Sequence, residues 1–370
     1  MKKIGILTYH ACFNYGACLQ AYALQRSIMK IQPDCEIIDY QSKTLRNICD
    51  VFSKKPDNKK EIIKNITRFP YRSQLLKRQA MFEDFINNDL IISKRCTTEA
   101  DVEKQAEQYE CIVCGSDQTW NLEPSIRYCN EVYYLNFPKK QRRVTYATSF
   151  GQWVEKLPQR EDEVLPWIKT YDCLSMREES GVEYLRNKGF ECEHVLDPTL
   201  LLDVDEYDKI CDAPIMNEPY VLMFSWNCAK EVIEVAKAAA KKLNCKLINI
   251  VAPPRALFSG VERKLDVGPK QFLSLVKNAE FVVTNSFHGT VFSSIYGKQF
   301  ASVISGKIDK RRQSLMHQLG LENNLIKPED FDLNKIAKTD FSNVHQNIQN
   351  VRKTSLDYLR SEERRVGKEC

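Results

Sequence analysis

Short apolar runs alternate along this chain with stretches in which apolar residues recur every three or four positions. The first run, Lys3 to Thr8, reads as a strand. Ala17 to Lys30 reads as a helix, because Leu19, Tyr22, Ala23, Leu24 and Ile28 fall on one face at helical spacing. Further runs at Glu36 to Tyr40, Cys111 to Cys114, Val144 to Phe150, Cys173 to Met176 and Cys192 to Leu196 are rich in β-branched, aromatic and cysteine residues and predict strands. The rhythm then repeats. Tyr220 to Ser225 is a strand, Lys230 to Leu243 an alanine-rich helix, and Lys246 to Val251 a strand stopped by Pro253-Pro254. Pro269 opens a helix with Phe272, Leu273 and Val276 on its apolar face, and the strand Phe281 to Thr284 follows. After a polar turn at Asn285-Ser286 and the pair His288-Gly289, a helix is expected from Thr290 to Tyr296, then a short strand from Phe300 to Ile304.

Such alternation predicts an α/β fold with parallel sheets in two halves, each Rossmann-like, facing a cleft at the carboxyl edges of their strands. The first domain is expected over 1–202, with a basic helical insertion at about 43–95 whose helices, Lys59 to Thr67 and Arg72 to Ile86, break at Pro70. The acidic, proline-containing stretch 203–219 reads as a linker. A second domain covers 220–342, and 343–360 is a terminal helix able to pack back across the junction. The last residues, 361–370, are charged and carry no periodic face, so they read as an end unrelated to the fold.

At 370 residues and 43% hydrophobic content, with no long uncharged apolar run, the chain has core enough for two domains and no membrane span. Its start turns polar too quickly for a signal peptide, and the fourteen cysteines are scattered, so they read as reduced cytosolic thiols. Cys111-Ile112-Val113-Cys114 matches C-x-x-C, but residues three apart in a strand point to opposite faces, which argues against metal or redox use. The net charge of +5 is concentrated. Between Lys43 and Arg95 there are thirteen Lys or Arg against six Asp or Glu, so the rest of the chain is slightly acidic. A basic helical arm of this kind is a solvated face, rests on an anionic membrane surface, or holds an acidic acceptor. The modest overall charge and lack of a nucleic-acid motif exclude nucleic acid as the expected partner.

Candidate chemistry lies where strands end. His288 sits between a buried strand and a helix N-terminus, a position that favours an anion; there it holds a phosphate, moves a proton beside one, or caps its own loop. The loop Tyr9 to Gly16, with Asn14 and Gly16 before a helix, is a second candidate anion site, although the G-x-G-x-x-G and Walker A patterns are absent. Gly115-Ser116-Asp117-Gln118 can expose a carboxylate, or Asp117 bonds its own turn, while Trp120 offers an apolar wall for a sugar ring. Arg177 either grips a carboxylate or phosphate with its planar fork or pairs with Glu178 or Glu179. The loop after Ile304 carries Lys307, Lys310, Arg311 and Arg312.

Taken together, Thr8-Tyr9-His10 with Asn14-Tyr15-Gly16-Ala17, Gly115 to Asn121, Ser175 to Gly181, Asp197-Pro198-Thr199-Leu200 and Asn285-Ser286-Phe287-His288-Gly289-Thr290 resemble the polysaccharide pyruvyl transferase family, in consistent order from Met1 to about Leu359. The resemblance implies a GT-B-like arrangement and a transferase that moves the pyruvyl group of phosphoenolpyruvate onto a sugar hydroxyl, giving a pyruvate ketal in exopolysaccharide or cell-envelope biosynthesis. It implies no metal and no cofactor beyond phosphoenolpyruvate as co-substrate, and a sugar or lipid-linked oligosaccharide acceptor. The expected location is cytoplasmic, with the inner face of the membrane as one place where the basic arm could bring the protein. By the same resemblance His288, Asp117 and Arg177 would be catalytic: His288 at the donor's phosphate or carboxylate and as an acid or base, Arg177 clamping the donor, and Asp117 either taking the proton of the sugar hydroxyl or orienting that hydroxyl. Asn14, Gly16, Trp120, Ser286, Gly289, Arg311 and Arg312 would contact substrate. One departure stands out. Many members of that family carry arginine two positions before the histidine, and leucine between them, where this chain has Ser286 and Phe287. Lys298, Arg255 or Arg311 would then supply the missing charge, or the donor differs. A glycosyltransferase with a nucleotide-sugar donor and an inactive glycan-binding protein are the alternatives.

Overall fold

The computed structural model describes residues 3–53, 56, 58–123, 131–225, 227–255, 260–306, 309–336 and 339–368, with the side chains of 47, 48 and 362–368 left aside. It divides into two units. The first comprises Met1–Cys49, Ile86–Leu202 and Gln349–Cys370, and the second Asp50–Phe85 and Asp203–Ile348.

In the first unit β1 (Ile4–Leu7), β2 (Cys35–Ile37), β3 (Cys111–Cys114) and β4 (Arg142–Thr145) form a parallel sheet in the order β2-β1-β3-β4. The short parallel pair β5 (Ser175–Met176) and β6 (Glu193–His194) adjoins it through bridges such as Val144 to Cys173 and Thr148 to Met176. Every residue of β1 and β3 is buried, as expected of parallel strands covered on both faces. Among the described residues no cysteine is paired in a disulfide, and burial pushes the Cys114 thiol up to about 12.

The second unit holds β7 (Tyr220–Phe224), β8 (Lys246–Asn249), β9 (Glu262–Arg263), β10 (Phe281–Thr284), β11 (Phe300–Val303) and β12 (Leu325–Ile326). They too are parallel, ordered β12-β11-β10-β7-β8-β9. The helix Lys230–Leu243 lays Val232, Val235, Ala236 and Ala239 against Val221, Met223, Phe281 and Val283 of the sheet, and it ends on Asn244 in the left-handed region (φ 52°).

Three segments depart from the sequence reading. The basic insertion does not stay with the first half: Asp50–Phe85 belongs to the second unit. Its helices Lys59–Arg68 and Arg72–Asn88 are joined by a 3-10 turn at Phe69–Tyr71, where Pro70 breaks the regular helix. Arg68 holds it there by donating to the carbonyls of Pro253 and Val51, both at 2.8 Å, and Arg78 donates to Ile250 O at 3.0 Å. The stretch expected as a linker belongs to the second unit, where Gln271 donates to Asp212, Ser274 to Ala213 O at 3.0 Å, and Lys277 pairs with Asp208 at 2.8 Å. The terminal helix runs over Phe341–Lys368, so the backbone of 361–368 continues it. Its residues up to Ile348 belong to the second unit and the rest to the first, where Arg352 donates to Leu200 O (2.6 Å) and Leu202 O (2.9 Å).

Candidate functional site

The carboxyl edge of the first sheet is organised by one buried ion cluster. β3 delivers Gly115 and Ser116 and then Asp117, whose φ of 68° is left-handed. Arg177 follows β5 directly, and its guanidinium sits between two carboxylates, 2.7 Å from Asp197 Oδ2 and 3.2 Å from Asp117 Oδ1. Thr199 N and Oγ1 and Ser116 Oγ also donate to Asp197, which is fully enclosed. Glu178, next in the chain, accepts from the Phe150 amide at 2.9 Å. Arg177 thus already balances two carboxylates, and Asp117, with its side chain 14% exposed, is the member of the cluster that reaches outward.

Trp120 does not offer a wall to a sugar. It is completely buried, stacked on Tyr134 at 5.0 Å and donating Nε1–H to Tyr133 O at 3.1 Å, because its large apolar surface is worth more in the core than at an edge. Asn14 is the N-cap of the helix Tyr15–Met29; its side chain accepts from the amides of Gly16 (2.9 Å) and Ala17 (3.4 Å), so Gly16 is part of the first helical turn.

A further pair on this edge was not singled out in the sequence. His10, just past β1, places Nε2 2.9 Å from Asp39 Oδ1 and Nδ1 3.2 Å from Thr8 O. Burial works to raise the Asp39 carboxyl, but the hydrogen bond and charge of His10, with Gln41 (2.7 Å) and Arg95 (3.2 Å), hold it below its ordinary value.

In the second unit the helix after β10 begins earlier than expected, at Phe287 rather than Thr290. Ser286 is its N-cap, with the side chain accepting from Gly289 N at 3.4 Å, so His288 and Gly289 lie inside the first turn. The glycine permits close packing. A Cβ on Gly289 would collide with Thr284 Oγ1 and stand 3.0 Å from Phe224 Cδ1, and Thr284 Oγ1 is already engaged with Phe224 O (2.6 Å) and Ser286 N (2.9 Å). His288 is buried and meets Phe287 edge-on, with ring centroids 5.2 Å apart.

Beside this helix start lies a band of neutral polar groups. Asn285 Nδ2 donates to Asn227 Oδ1 (2.8 Å) and Ser305 Oγ (3.0 Å), and Ser225 Oγ donates to Asn227 Oδ1 (3.1 Å). The Asn285 Oδ1 atom is buried without a hydrogen-bond partner among the described residues. Arg311 and Arg312 are committed elsewhere: Arg311 grips Asp309 with two bonds (2.9 and 2.7 Å), while Arg312 is buried and donates to Ser302 Oγ and Val303 O of β11. Lys307 lies outside the described residues.

Positive charge enters this edge from another direction. Arg68 and Arg78, carried in by the basic segment, reach the end of β8, and Arg255 and Arg263 join them. Burial lowers the Arg68 guanidinium to about 10, with help from the like charges of Arg78 and Arg255. Arg263 donates to Tyr71 OH at 2.9 Å. Cys228, which follows β7, is pushed up by burial, opposed by the charges of Arg255 and Arg263. The four guanidiniums therefore adjoin the loops after β7 and β8. No sequence signal pointed to Arg68 and Arg78, which come from a remote segment; Arg255 appeared only as one substitute for a missing charge. Among the described residues no group of three or more His, Cys, Asp or Glu stands where it could hold a metal ion.

Solved structures share this architecture. The chain superposes on UDP-GlcNAc 2-epimerase from Methanocaldococcus jannaschii in complex with UDP-GlcNAc and UDP, with a TM-score of 0.50 at 14% identity over 95% of this chain and 92% of that one. A second structure of the enzyme gives 0.50 at 13%, over 95% and 93%. The Escherichia coli ADP-heptose LPS heptosyltransferase II is more distant, with a TM-score of 0.39 at 8% identity over 95% and 99%. No curated protein matches the chain. Two parallel-sheet units with polar and charged groups at their strand ends define a GT-B-like α/β protein. Within that class the chain belongs to the polysaccharide pyruvyl transferase family, whose model matches residues 14–306. It is therefore a member of a family of transferases.

Proposed function

We propose that this transferase moves the pyruvyl group of phosphoenolpyruvate onto a sugar of a polysaccharide or its precursor, closing a pyruvate ketal. The observation that carries this reading is the gathering of Arg68, Arg78, Arg255 and Arg263 at the carboxyl edge of the second unit's sheet. Phosphoenolpyruvate bears a phosphate and a carboxylate, and planar guanidiniums bind both with paired hydrogen bonds. In this reading these arginines supply the charge that Ser286 does not.

The reaction balances as follows. One sugar hydroxyl adds to the enol carbon while the methylene gains a proton and becomes methyl. A second hydroxyl then displaces phosphate from the same carbon. General acid and base groups are needed for both steps. We assign protonation on the donor side to His288 and proton acceptance from the hydroxyl to Asp117, whose carboxylate Arg177 holds in place. No cofactor enters this scheme, and phosphoenolpyruvate is the co-substrate.

The test is ligand-dependent melting of the purified protein with phosphoenolpyruvate and, separately, a panel of nucleotide-sugars. At 100 times Kd a bound ligand adds about 2.7 kcal/mol, a shift of several degrees. Phosphoenolpyruvate is expected to stabilise the wild type and to lose that effect in Arg255→Met/Arg263→Met. His288→Ala is expected to stop phosphate release in the presence of glycan acceptors. Selective stabilisation by a nucleotide-sugar would replace this donor assignment. Binding of phosphoenolpyruvate with no release on any acceptor would indicate a binding protein.

A further inference from the structure

The helix Lys59–Arg68 is inverted. Surface helices of water-soluble folds turn apolar residues inward and polar ones outward. Here the inward face is polar: Lys64 donates to Asp50 O (2.7 Å), Asn65 exchanges bonds with Ser53 N and O (both 2.9 Å), and Arg68 donates to Val51 O and Pro253 O. No residue of this helix is buried. Ile62, Ile63 and Ile66, on the opposite face, are 46%, 51% and 66% exposed, and Phe69 in the following turn is 71% exposed. Helical spacing of three and four places the isoleucines in one stripe, which Phe69 extends. Four large apolar side chains in a contiguous exposed stripe mark an interaction surface rather than scattered surface residues.

The charges around the stripe select its occupant. From Asn58 to Lys77 there are six Lys or Arg and one Glu, and Lys59, Lys60 and Arg72 are exposed beside the apolar ridge. A second copy of the chain would have to bring these cations together, which opposes pairing. An anionic bilayer offers negative headgroups for the lysines and arginine and an acyl boundary for isoleucine and phenylalanine, the combination that holds helices in the plane of an interface. Among the described residues no helix is long and apolar enough to cross a membrane. We propose that the ridge Ile62, Ile63, Ile66 and Phe69, flanked by Lys59, Lys60 and Arg72, docks the protein on an anionic lipid surface. The proposal is independent of the donor assignment, because it rests on a face of the second unit that takes no part in that chemistry.

Flotation of the full-length protein with vesicles of neutral phosphatidylcholine, and with vesicles containing phosphatidylglycerol, tests it without any activity readout. Binding is expected to the anionic vesicles only and to weaken as salt rises. Lys59→Glu/Lys60→Glu is expected to reduce partition at least about tenfold, since each cation near such a surface is worth roughly a factor of five. Ile66→Ser/Phe69→Ser is expected to abolish retention at moderate salt. All four positions are exposed, and circular dichroism of each variant will check that the fold is kept. Absence of binding by the wild type, or binding that both variants retain, would overturn the proposal. So would a concentration-dependent dimer, or capture of an acidic protein, that both variants abolish while vesicle binding persists.

Discussion

Replacing Arg177 by methionine keeps most of the side-chain volume and removes the guanidinium that stands 2.7 Å from Asp197 and 3.2 Å from Asp117. Asp197 cannot turn to water, because its side chain is fully enclosed. It would keep the hydrogen bonds from Thr199 N, Thr199 Oγ1 and Ser116 Oγ and lose its counter-charge. Breaking a buried ion pair by removing one partner costs about 3–5 kcal/mol. The retained hydrogen bonds place this case at the lower end, about 3 kcal/mol, and Asp117 adds little because it is partly exposed and can rehydrate. In a unit of about 190 residues each kcal/mol moves the midpoint by about 2–4 °C, so the transition of the first unit should fall by ~6–12 °C. The assay is thermal and urea unfolding of the wild type, Arg177→Met, and Arg177→Met/Asp197→Asn. Neutralising Asp197 in the double variant should recover about 1–2 kcal/mol of the loss, because it removes the stranded charge. A fall of less than ~1 kcal/mol for Arg177→Met, or no recovery in the double variant, would refute the reasoning. In that event Arg177 would not be the electrostatic centre of this edge.

Two other outcomes follow from the same edge. Trp120→Ala should destabilise the protein by about 3–5 kcal/mol, as large-to-small changes in a packed core do; a folded variant with unchanged stability and weaker acceptor binding would restore Trp120 to a sugar-contacting role. Asp39 should give a definite pH signature. Its folded pKa is depressed, so its contribution is fully present above the unfolded carboxylate value of about 3.9 and is lost as pH falls through the lower folded value. The stability difference between wild type and Asp39→Asn, measured by urea titration, should therefore be constant at neutral pH and shrink below about pH 4; a difference that grows with acid would contradict the pairing with His10.

Local pattern determined much of this protein. The strands Cys111–Cys114 and Phe281–Thr284 and the helix Lys230–Leu243 lie where the spacing of apolar residues puts them, since a strand or helix that must bury one face writes that period into its own sequence. Motifs at strand ends were legible for the same reason: Asp117, Arg177 and His288 each follow a recognisable apolar run. The start of the helix at Phe287 was missed because Ser286 and Asn285 look like turn residues until the cap hydrogen bond shows which of them closes the turn.

Partners distant in sequence were not legible. Arg68 meets Pro253 across 185 positions and Arg78 meets Ile250 across 172, so only tertiary packing transfers the basic segment to the second unit and assembles four guanidiniums beside β8. His10 finds Asp39, and Arg177 finds Asp197, through strand order rather than spacing. Burial also is a tertiary quantity. The same residue letters would have allowed Trp120 at a rim and Ile66 in a core, and the fold does the reverse: it encloses the tryptophan and leaves the isoleucine in water. Periodicity states which face of an element is apolar, and only the packing of the other elements decides whether that face is covered.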